Sequence, residues 1–164
     1  MTKSSESTAD SALLIRKAAP RDLPQIVAID ALVTGIEKRE YWREMLRRFA
    51  RRDSRRQFLV AAGSAGVAGF AIGEVRDWEF GAPPCGWVFA IDVHPQLRLH
   101  GVGTRLLQAI CDGFARAGVT RVRTLLDRDD PLVLSFFRSQ GMMAAPLIPL
   151  EMELPAAAAE ARRR

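Results

Sequence analysis

The sequence has few of the residues that build metal centres, disulfide scaffolds or membrane spans. Its 164 residues include two cysteines, two histidines and one tyrosine, and Cys85 and Cys111 lack the spacing of metal ligands. We therefore expect no metal site, and two thiols that behave as small buried hydrophobes in a reducing compartment. No apolar run approaches the roughly 18 residues that cross a bilayer. The N-terminal residues are polar and do not have the order of a secretory signal, so we expect a cytoplasmic protein.

Charge is the property that departs most from an average globular domain. Hydrophobic residues make up 48% and charged residues 26% of the chain, yet its net charge is +5 and its pI about 10.0. An excess of positive charge suits a nucleic acid, a membrane surface or an anionic cofactor as partner. The basic residues concentrate in 43–56 and 162–164, so the total charge alone selects none of the three.

The order of periodic segments predicts one α/β domain between two tails. Residues 1–11 are polar and aperiodic, and residues 155–164 are Ala-rich and then basic, so we expect disordered tails around a domain at 12–154. Within it the patterns follow the order β-α-α-β-β-β-α-β-α-β-β. This order predicts a mixed, mostly antiparallel sheet of about seven strands with about four flanking helices. The last two strands would be the apolar runs 142–147 and 148–154.

A predicted second helix, at about residues 39–52, is apolar on one face and basic on the other. The basic face consists of Arg43, Arg47, Arg48, Arg51 and Arg52. One interpretation is a solvated surface, and the other is a patch for an acidic substrate, RNA or cofactor phosphates. Aromatic residues that would stack on bases do not interleave with these arginines, which argues against a dedicated nucleic-acid reader.

The most informative stretch is a glycine loop between a predicted strand and a predicted helix. The apolar run 87–93 is typical of a buried strand, and a helical apolar stripe begins at Val102, beside Gly101. A helix that begins at a glycine loop binds anions, because its first N–H groups lack partners and its dipole is positive there. A dinucleotide fingerprint would need a third glycine where Leu106 stands, and no Gly-Lys-Ser/Thr run marks a P-loop.

Two motifs resemble those of a known superfamily. The loop Arg98-Leu99-His100-Gly101-Val102-Gly103 resembles the pyrophosphate loop, Gln/Arg-x-x-Gly-x-Gly/Ala, of the GNAT superfamily of acyl-CoA-dependent N-acyltransferases. A second stretch has the spacing of the family pattern Asn-x-x-Ala-x-x-Phe/Leu-Tyr-x-x-x-Gly-Phe, at Asp130, Val133, Phe136, Phe137, Gly141 and Met142. The resemblance runs from about Leu14 to Leu154. It implies a GNAT-like α/β fold, with acetyl-CoA as co-substrate and no metal.

The resemblance also implies which residues hold the cofactor. Loop N–H groups would bind the pyrophosphate, with positive charge from Arg98 and His100. Two strands that separate after Val93 would leave backbone groups free for the pantetheine and acetyl groups. Asp130 replaces a family Asn, and Phe137 replaces the Tyr that protonates the departing thiolate, a role that a phenyl ring cannot fill. The implied cofactor-binding residues are Ile91, Asp92, Val93, Arg98, Leu99, His100, Gly101, Val102, Gly103, Thr104, Asp130 and Phe137.

No single residue is marked as the catalytic acid or base. Glu74 and Asp92 lie on predicted strands that would line the acceptor side, and either carboxylate is a candidate base. Alternate residues of a strand face opposite ways, so the direction of Asp92 decides whether it faces the acceptor, and the sequence leaves this open. Tyr41, the only tyrosine, lies on the second predicted helix and is a candidate acid.

These observations predict an N-acetyltransferase that moves the acetyl group of acetyl-CoA directly to a primary amine of a small molecule or peptide. Two alternatives stay open. One is a CoA-binding sensor with weakened catalysis, because Asp130 and Phe137 replace family residues. The other is a ribosome- or RNA-associated protein acetyltransferase that uses the basic helix. We expect no membrane partner and no nucleic acid. Homodimers are common in the family, which leaves a dimer as an expectation.

Overall fold

The computed structural model describes residues 13–50 and 53–154. The chain divides into two compact units, residues 1–127 and 128–164. The first unit contains the sheet and three helices, and the second contains one helix and the last apolar segment. The predicted tails at 1–11 and 155–164 lie outside the described residues, as do Arg51 and Arg52 of the predicted basic helix.

The elements of the first unit follow the predicted order closely. Its strands are β1 (Leu14–Lys17), β2 (Arg56–Gly63), β3 (Gly66–Arg76), β4 (Cys85–Val93) and β5 (Val122–Thr124). Its helices are α1 (Leu23–Thr34), α2 (Arg39–Phe49) and α3 (Val102–Arg116). Prolines begin the 3-10 turn Pro20–Asp22 and stand near the start of α1, where a missing N–H costs nothing.

The sheet is mixed and mostly antiparallel, as predicted. Its strand order is β1-β2-β3-β4-β5, and every neighbouring pair is antiparallel except β4 and β5, which run parallel. β2 and β3 form a hairpin, with Gly63 paired to Gly66 at its turn. α3 connects the two parallel strands, because a parallel pair needs a long crossover.

Helices cover both faces of this sheet. On one face, Trp42 of α2 packs edge-on against Phe70 of β3 with ring centroids 4.9 Å apart, and it lies 5.8 Å from Phe58 of β2. These rings belong to one buried cluster with apolar residues of α1. On the other face, Phe114 of α3 lies so close to Gly86 that a β carbon there would be 2.4 Å from the ring. Only glycine fits at that crossing of helix and strand.

The prediction of about seven strands was wrong, because the described part of the chain has five. Residues 142–154, expected to form two strands, have no regular secondary structure, and side chains such as Ile148 and Leu150 are exposed. Pro146 and Pro149 interrupt this segment, and each removes a backbone N–H that a sheet ladder would use. The four predicted helices are confirmed, the fourth being α4 (Pro131–Ser139) in the second unit.

Candidate active site

The glycine loop lies between the end of β4 and the start of α3. β4 ends at Val93, and His94 then opens a short 3-10 turn by accepting a hydrogen bond from the Gln96 N–H at 3.3 Å. Further along, Leu99 and Gly101 both have left-handed backbones, with φ of 68° and 74°. The left-handed residue Gly101 is the N-cap of α3, so the chain turns sharply into the helix.

The first turn of α3 presents N–H groups that have no partner within the helix. No described side chain caps this end, and the first helical bond joins the Arg105 N–H to the Gly101 carbonyl at 3.0 Å. The N–H groups of Val102, Gly103 and Thr104 precede that bond and point out of the helix end. A β carbon built on Gly101 would meet no atom within 4 Å, so an anion has open access to this turn.

The charged residues of the loop are placed differently from one another. His100 Nδ1 lies 2.8 Å from the Arg98 carbonyl oxygen, which fixes the ring against the loop backbone. The guanidinium of Arg105 bonds instead to the backbone carbonyl of Leu13. Arg98 and His100 are both exposed, and the Leu99 side chain is fully so. Arg98 therefore remains the loop's available positive charge, with the exposed imidazole of His100 beside it.

β4 and β5 separate earlier than expected. Their parallel pairing covers Gly86–Val88 of β4 and ends where Val88 meets Thr124, five residues before Val93, after which separation was predicted. On the other side of β4, the register to β3 skips Phe89, so the strand bulges there. β5 is accordingly short, with three residues. Ile91–Val93 pair with β3 alone, and their β5-facing edge has no strand partner among the described residues.

The direction of Asp92, which the sequence left open, follows from this register. Asp92 lies opposite Phe70 of β3, and directly opposed residues of an antiparallel pair share a face. Its side chain is therefore on the face that α1 and α2 cover. Burial, and after it the Asp30 carboxylate, raises the pKa of Asp92, whereas Lys38 and Arg98 lower it, and the net result is a pKa of about 6.

Asp30 and Lys38 form a polar anchor next to Asp92, which the sequence analysis missed. Asp30 of α1 is almost fully buried and accepts a 2.8 Å hydrogen bond from Trp42 Nε1 of α2. Its other oxygen lies 3.0 Å from Lys38 Nζ, just before α2 begins. The anchor ties α1 to α2 and keeps one negative and one positive charge near Asp92. The sequence does contain a signal for this anchor. Asp30 is the one acid within the apolar helix sequence Ile-Val-Ala-Ile-Asp-Ala-Leu-Val.

Glu74 lies on the same face of the sheet as Asp92 but among arginines. Its carboxylate oxygens are 3.1 Å from Arg48 of α2, 3.9 Å from Arg56 of β2 and 3.7 Å from Arg76 of β3. Three guanidinium groups therefore surround this carboxylate, and its oxygens are engaged in ion pairs within the protein; its assignment as the base stays a prediction. These ion pairs connect α2 to the sheet.

Tyr41 packs on its neighbour in α2. Its ring lies edge-on to Trp42 with centroids 4.9 Å apart, and 44% of the residue is exposed. Tyr41 thus lies on the helix that carries the hydrogen bond to Asp30, but its ring points partly to solvent. Its assignment as the acid stays a prediction.

Residues 23–142 match the sequence profile of the acetyltransferase (GNAT) family. The chain belongs to this family. The matched range contains the glycine loop, the bulged strand and Asp92.

Individual relatives agree with this assignment. The L-2,4-diaminobutyric acid acetyltransferase of Nocardia farcinica is 33% identical over 79 residues, which are 48% of this chain and 39% of that protein. The chain thus matches well under half of that relative. The aminoglycoside N-acetyltransferase AAC(6')-Iy in complex with CoA superposes with a TM-score of 0.76 over 87% of this chain and 95% of its own, at 15% identity. An aminoglycoside acetyltransferase from an uncultured soil metagenomic sample gives 0.71 over 89% and 99%, at 19% identity. These structural likenesses establish the GNAT fold.

The second GNAT motif lies in the second unit, on α4 and around it. Asp130 is the N-cap of α4, and its Oδ1 accepts hydrogen bonds from the N–H groups of Leu132 at 3.1 Å and Val133 at 3.0 Å. Aspartate at this position stabilises the helix start. Phe137 is buried, and its ring lies 5.1 Å from that of Phe136. Cofactor contact by Asp130 and Phe137 stays a prediction.

The basic face of α2 is neutralised by neighbouring acids. Arg43 pairs with Glu40, Arg47 with Glu44 at 2.6 Å, and Arg48 with Glu74. Paired arginines attract phosphates less than free ones, so the described part of this face favours the interpretation as a solvated surface. Among the described residues, no helix is long and apolar enough to span a bilayer, and no group of His, Cys, Asp and Glu has the arrangement of a metal site.

Proposed function

We propose that this chain is an acetyl-CoA-dependent N-acetyltransferase that acts on the primary amine of a small molecule, with Asp92 as the general base. The observation that carries the proposal is the position of three features along one strand. The open edge of β4 leads into the anion-binding loop, and the Asp92 carboxyl stands on that same stretch of strand, with its pKa at about 6.

The shape of the loop supports acetyl-CoA as the co-substrate. The N–H groups of Val102, Gly103 and Thr104 would hold the pyrophosphate, and the open space at Gly101 lets phosphate oxygens approach the backbone. The unpaired edge of Ile91–Val93 would bond the amide groups of the pantetheine arm. When bound, acetyl-CoA supplies a thioester whose acetyl carbon the amine nitrogen attacks as the carbon–sulfur bond breaks.

Asp92 has the properties that a base for this reaction needs. A primary amine is mostly protonated near pH 7, and it must lose a proton to become nucleophilic. A carboxylate with a pKa near 6 is ionised at pH 7 and is a stronger base than an ordinary aspartate. Asp92 Oδ accepts that proton directly or through one water, while solvent protonates the departing thiolate in place of the tyrosine replaced by Phe137.

The known relatives favour a small-molecule acceptor. The matching Nocardia protein is a diaminobutyrate acetyltransferase, and two neighbours with the same fold are aminoglycoside acetyltransferases. These acceptors share accessible primary amines on compact polar molecules. We therefore place small polyfunctional amines ahead of peptides in the choice of acceptor.

The test is release of free thiol from acetyl-CoA in the presence of an amine panel. The panel contains L-2,4-diaminobutyrate, kanamycin, putrescine and a short peptide with a free N-terminus, and the control lacks amine. The proposal predicts amine-dependent thiol release with at least one small amine, largely lost in Asp92→Asn. Tight CoA binding without turnover of any amine would instead identify a CoA-binding sensor.

A further inference from the structure

We propose that the amine acceptor carries an anionic group, carboxylate or phosphate, which Arg123 binds beside Trp87 where β4 and β5 separate. The inference rests on the proposed function and concerns the acceptor side of the same site. One side chain there is unusual. Arg123 Nε is buried and has no hydrogen-bond partner among the residues that the structure describes.

An unpaired buried donor on a charged side chain needs an explanation. Leaving such a donor unsatisfied is costly, and native proteins rarely do so without a functional reason. The guanidinium carbon of Arg123 lies 5.9 Å from the centre of the Trp87 ring, so the indole holds the group in place. A planar guanidinium held this way is ready to bind an oxyanion through two parallel hydrogen bonds.

A second arginine reaches the same indole from the other neighbouring strand. The guanidinium carbon of Arg76, on β3, lies 5.4 Å from the Trp87 ring centre. Unlike Arg123, it has acidic neighbours, with Glu74 and Glu79 each 3.7 Å away. Arg76 is thus held by the protein's own carboxylates, which leaves Arg123 as the arginine at this indole with a buried donor still to be satisfied.

The surroundings keep an excess of positive charge. Glu74 also pairs with Arg48 of α2 and Arg56 of β2, so three arginines share Glu74 and Glu79, and neither glutamate forms an ion pair with Arg123. An excess of this kind favours an anionic ligand over a cationic one. It therefore argues against acceptors that carry only amines.

The register places this anion site near the point of transfer. Trp87 pairs with Arg123 in the parallel ladder and with Glu74 in the antiparallel one, so its side chain shares the face that carries Asp92. The next residue, Val88, makes the last contact with β5, and the bulge at Phe89 follows. A strand rises about 3.3 Å per residue, so the bulge is about 7 Å and Asp92 about 13–16 Å beyond Trp87. An acceptor bound by Arg123 therefore places its amine beyond the bulge, on the side towards Asp92, and its proton reaches that carboxylate through water.

The experiment compares acceptors in pairs that differ by one anionic group. The pairs are L-2,4-diaminobutyrate with 1,3-diaminopropane, L-ornithine with putrescine, and O-phosphoethanolamine with ethanolamine. We expect the full-length protein to have about tenfold or higher kcat/KM for the anionic member of at least one pair, as one charge-assisted hydrogen bond allows. The carboxylate pairs and the phosphate pair show which anion is preferred.

Variants then assign the preference to Arg123. In Arg123→Gln the ratio of kcat/KM within the preferred pair falls towards one, mainly through KM, and Arg123→Lys restores part of it. Arg121→Gln, an exposed arginine just before the same strand, keeps the ratio. Thermal unfolding and CoA binding show that each variant is folded. Equal use of both members of every pair, or a ratio that survives in Arg123→Gln, contradicts the inference and leaves the proposed function standing. Failure to acetylate any amine contradicts both.

Discussion

Asp92 and Phe70 stand directly opposite each other across β4 and β3, so a carboxyl shares its face with one of the most buried rings of the core. The same apolar surroundings that stabilise Phe70 penalise a charge on Asp92. Burial is the largest cause of the raised pKa of Asp92, and the nearby Asp30 carboxylate is the second. This one pair of residues therefore links the packing of the core to the proposed chemistry.

The first prediction concerns the pH dependence of the reaction. Because Asp92 must be ionised to accept a proton, kcat/KM should fall on the acid side with an apparent pKa of about 6. Asp92→Asn should lower kcat by about 10²–10⁴ and remove this acid limb. Initial rates between pH 5 and 9 measure both effects. Asp112→Asn, an exposed acid on α3, is the control, and a wild-type acid limb that persists in Asp92→Asn would assign the base elsewhere.

The second prediction is that the proposed base reduces stability. The pKa of Asp92 in the folded protein is about 6, above the ordinary value of 3.8, so its favourable contribution is complete below about pH 4 and is lost as pH rises through 6. Asn at this position does not ionise. Asp92→Asn should therefore be more stable than wild type at pH 8 by about 1–3 kcal/mol, with the difference shrinking towards pH 4. Urea unfolding at the two pH values measures it, and an equal difference at both would refute the assignment of the shift.

The third prediction uses the two charges of the polar anchor, which act on Asp92 in opposite directions. Asp30→Asn removes a negative neighbour, so the acid limb of kcat/KM should move below pH 6. Lys38→Met removes a positive neighbour and should move the limb above pH 6. Lys38→Met also leaves Asp30 with only its hydrogen bond from Trp42, so its Tm should fall. Shifts in the same direction, or none, would show that the anchor has only a structural role.

Different parts of this site were predictable from the sequence to different degrees. The anion-binding loop at Gly101 could be predicted because a strand, two glycines and a helical apolar stripe are patterns of neighbouring residues. The direction of the Asp92 side chain depends on a register that includes the bulge at Phe89. A shift of one residue in that register moves the side chains that follow to the other face of the sheet. Asp30 and Arg123 depend on contacts between distant segments, which spacing does not reveal. In the segment 142–154, apolar runs suggested strands where prolines prevent regular pairing.

The fourth prediction separates the role of Gly101 in anion binding from its role in the backbone. Gly101 and Gly118 lie at opposite ends of α3. Their φ angles are 74° and 83°, and both have open space where a β carbon would stand. Alanine at either position should cost about 1 kcal/mol of stability through left-handed strain. Gly101→Ala alone should weaken CoA binding, by about tenfold or more. Calorimetric titration with CoA checks this, and equal weakening in Gly118→Ala would mean that strain alone is responsible.

The fifth prediction addresses the missing tyrosine of the GNAT motif. The GNAT motif assigns the tyrosine at this position to protonation of the departing thiolate, so Phe137→Tyr should raise kcat about tenfold or more with little change in the KM for acetyl-CoA. Phe136→Tyr, one residue earlier on α4, is the matched control. A sensor that has lost catalysis would respond to neither substitution.

Acetyl transfer to a small amine is tested by following the acetyl group itself. The protein is incubated with acetyl-CoA labelled with ¹³C in the acetyl group and with L-2,4-diaminobutyrate, ornithine or kanamycin, and the products are analysed by mass spectrometry. We expect the labelled acetyl group in amide linkage on at least one amine, formed in step with free CoA and nearly absent with Asp92→Asn. Labelled acetate alone, or unchanged acetyl-CoA with every amine, would contradict it.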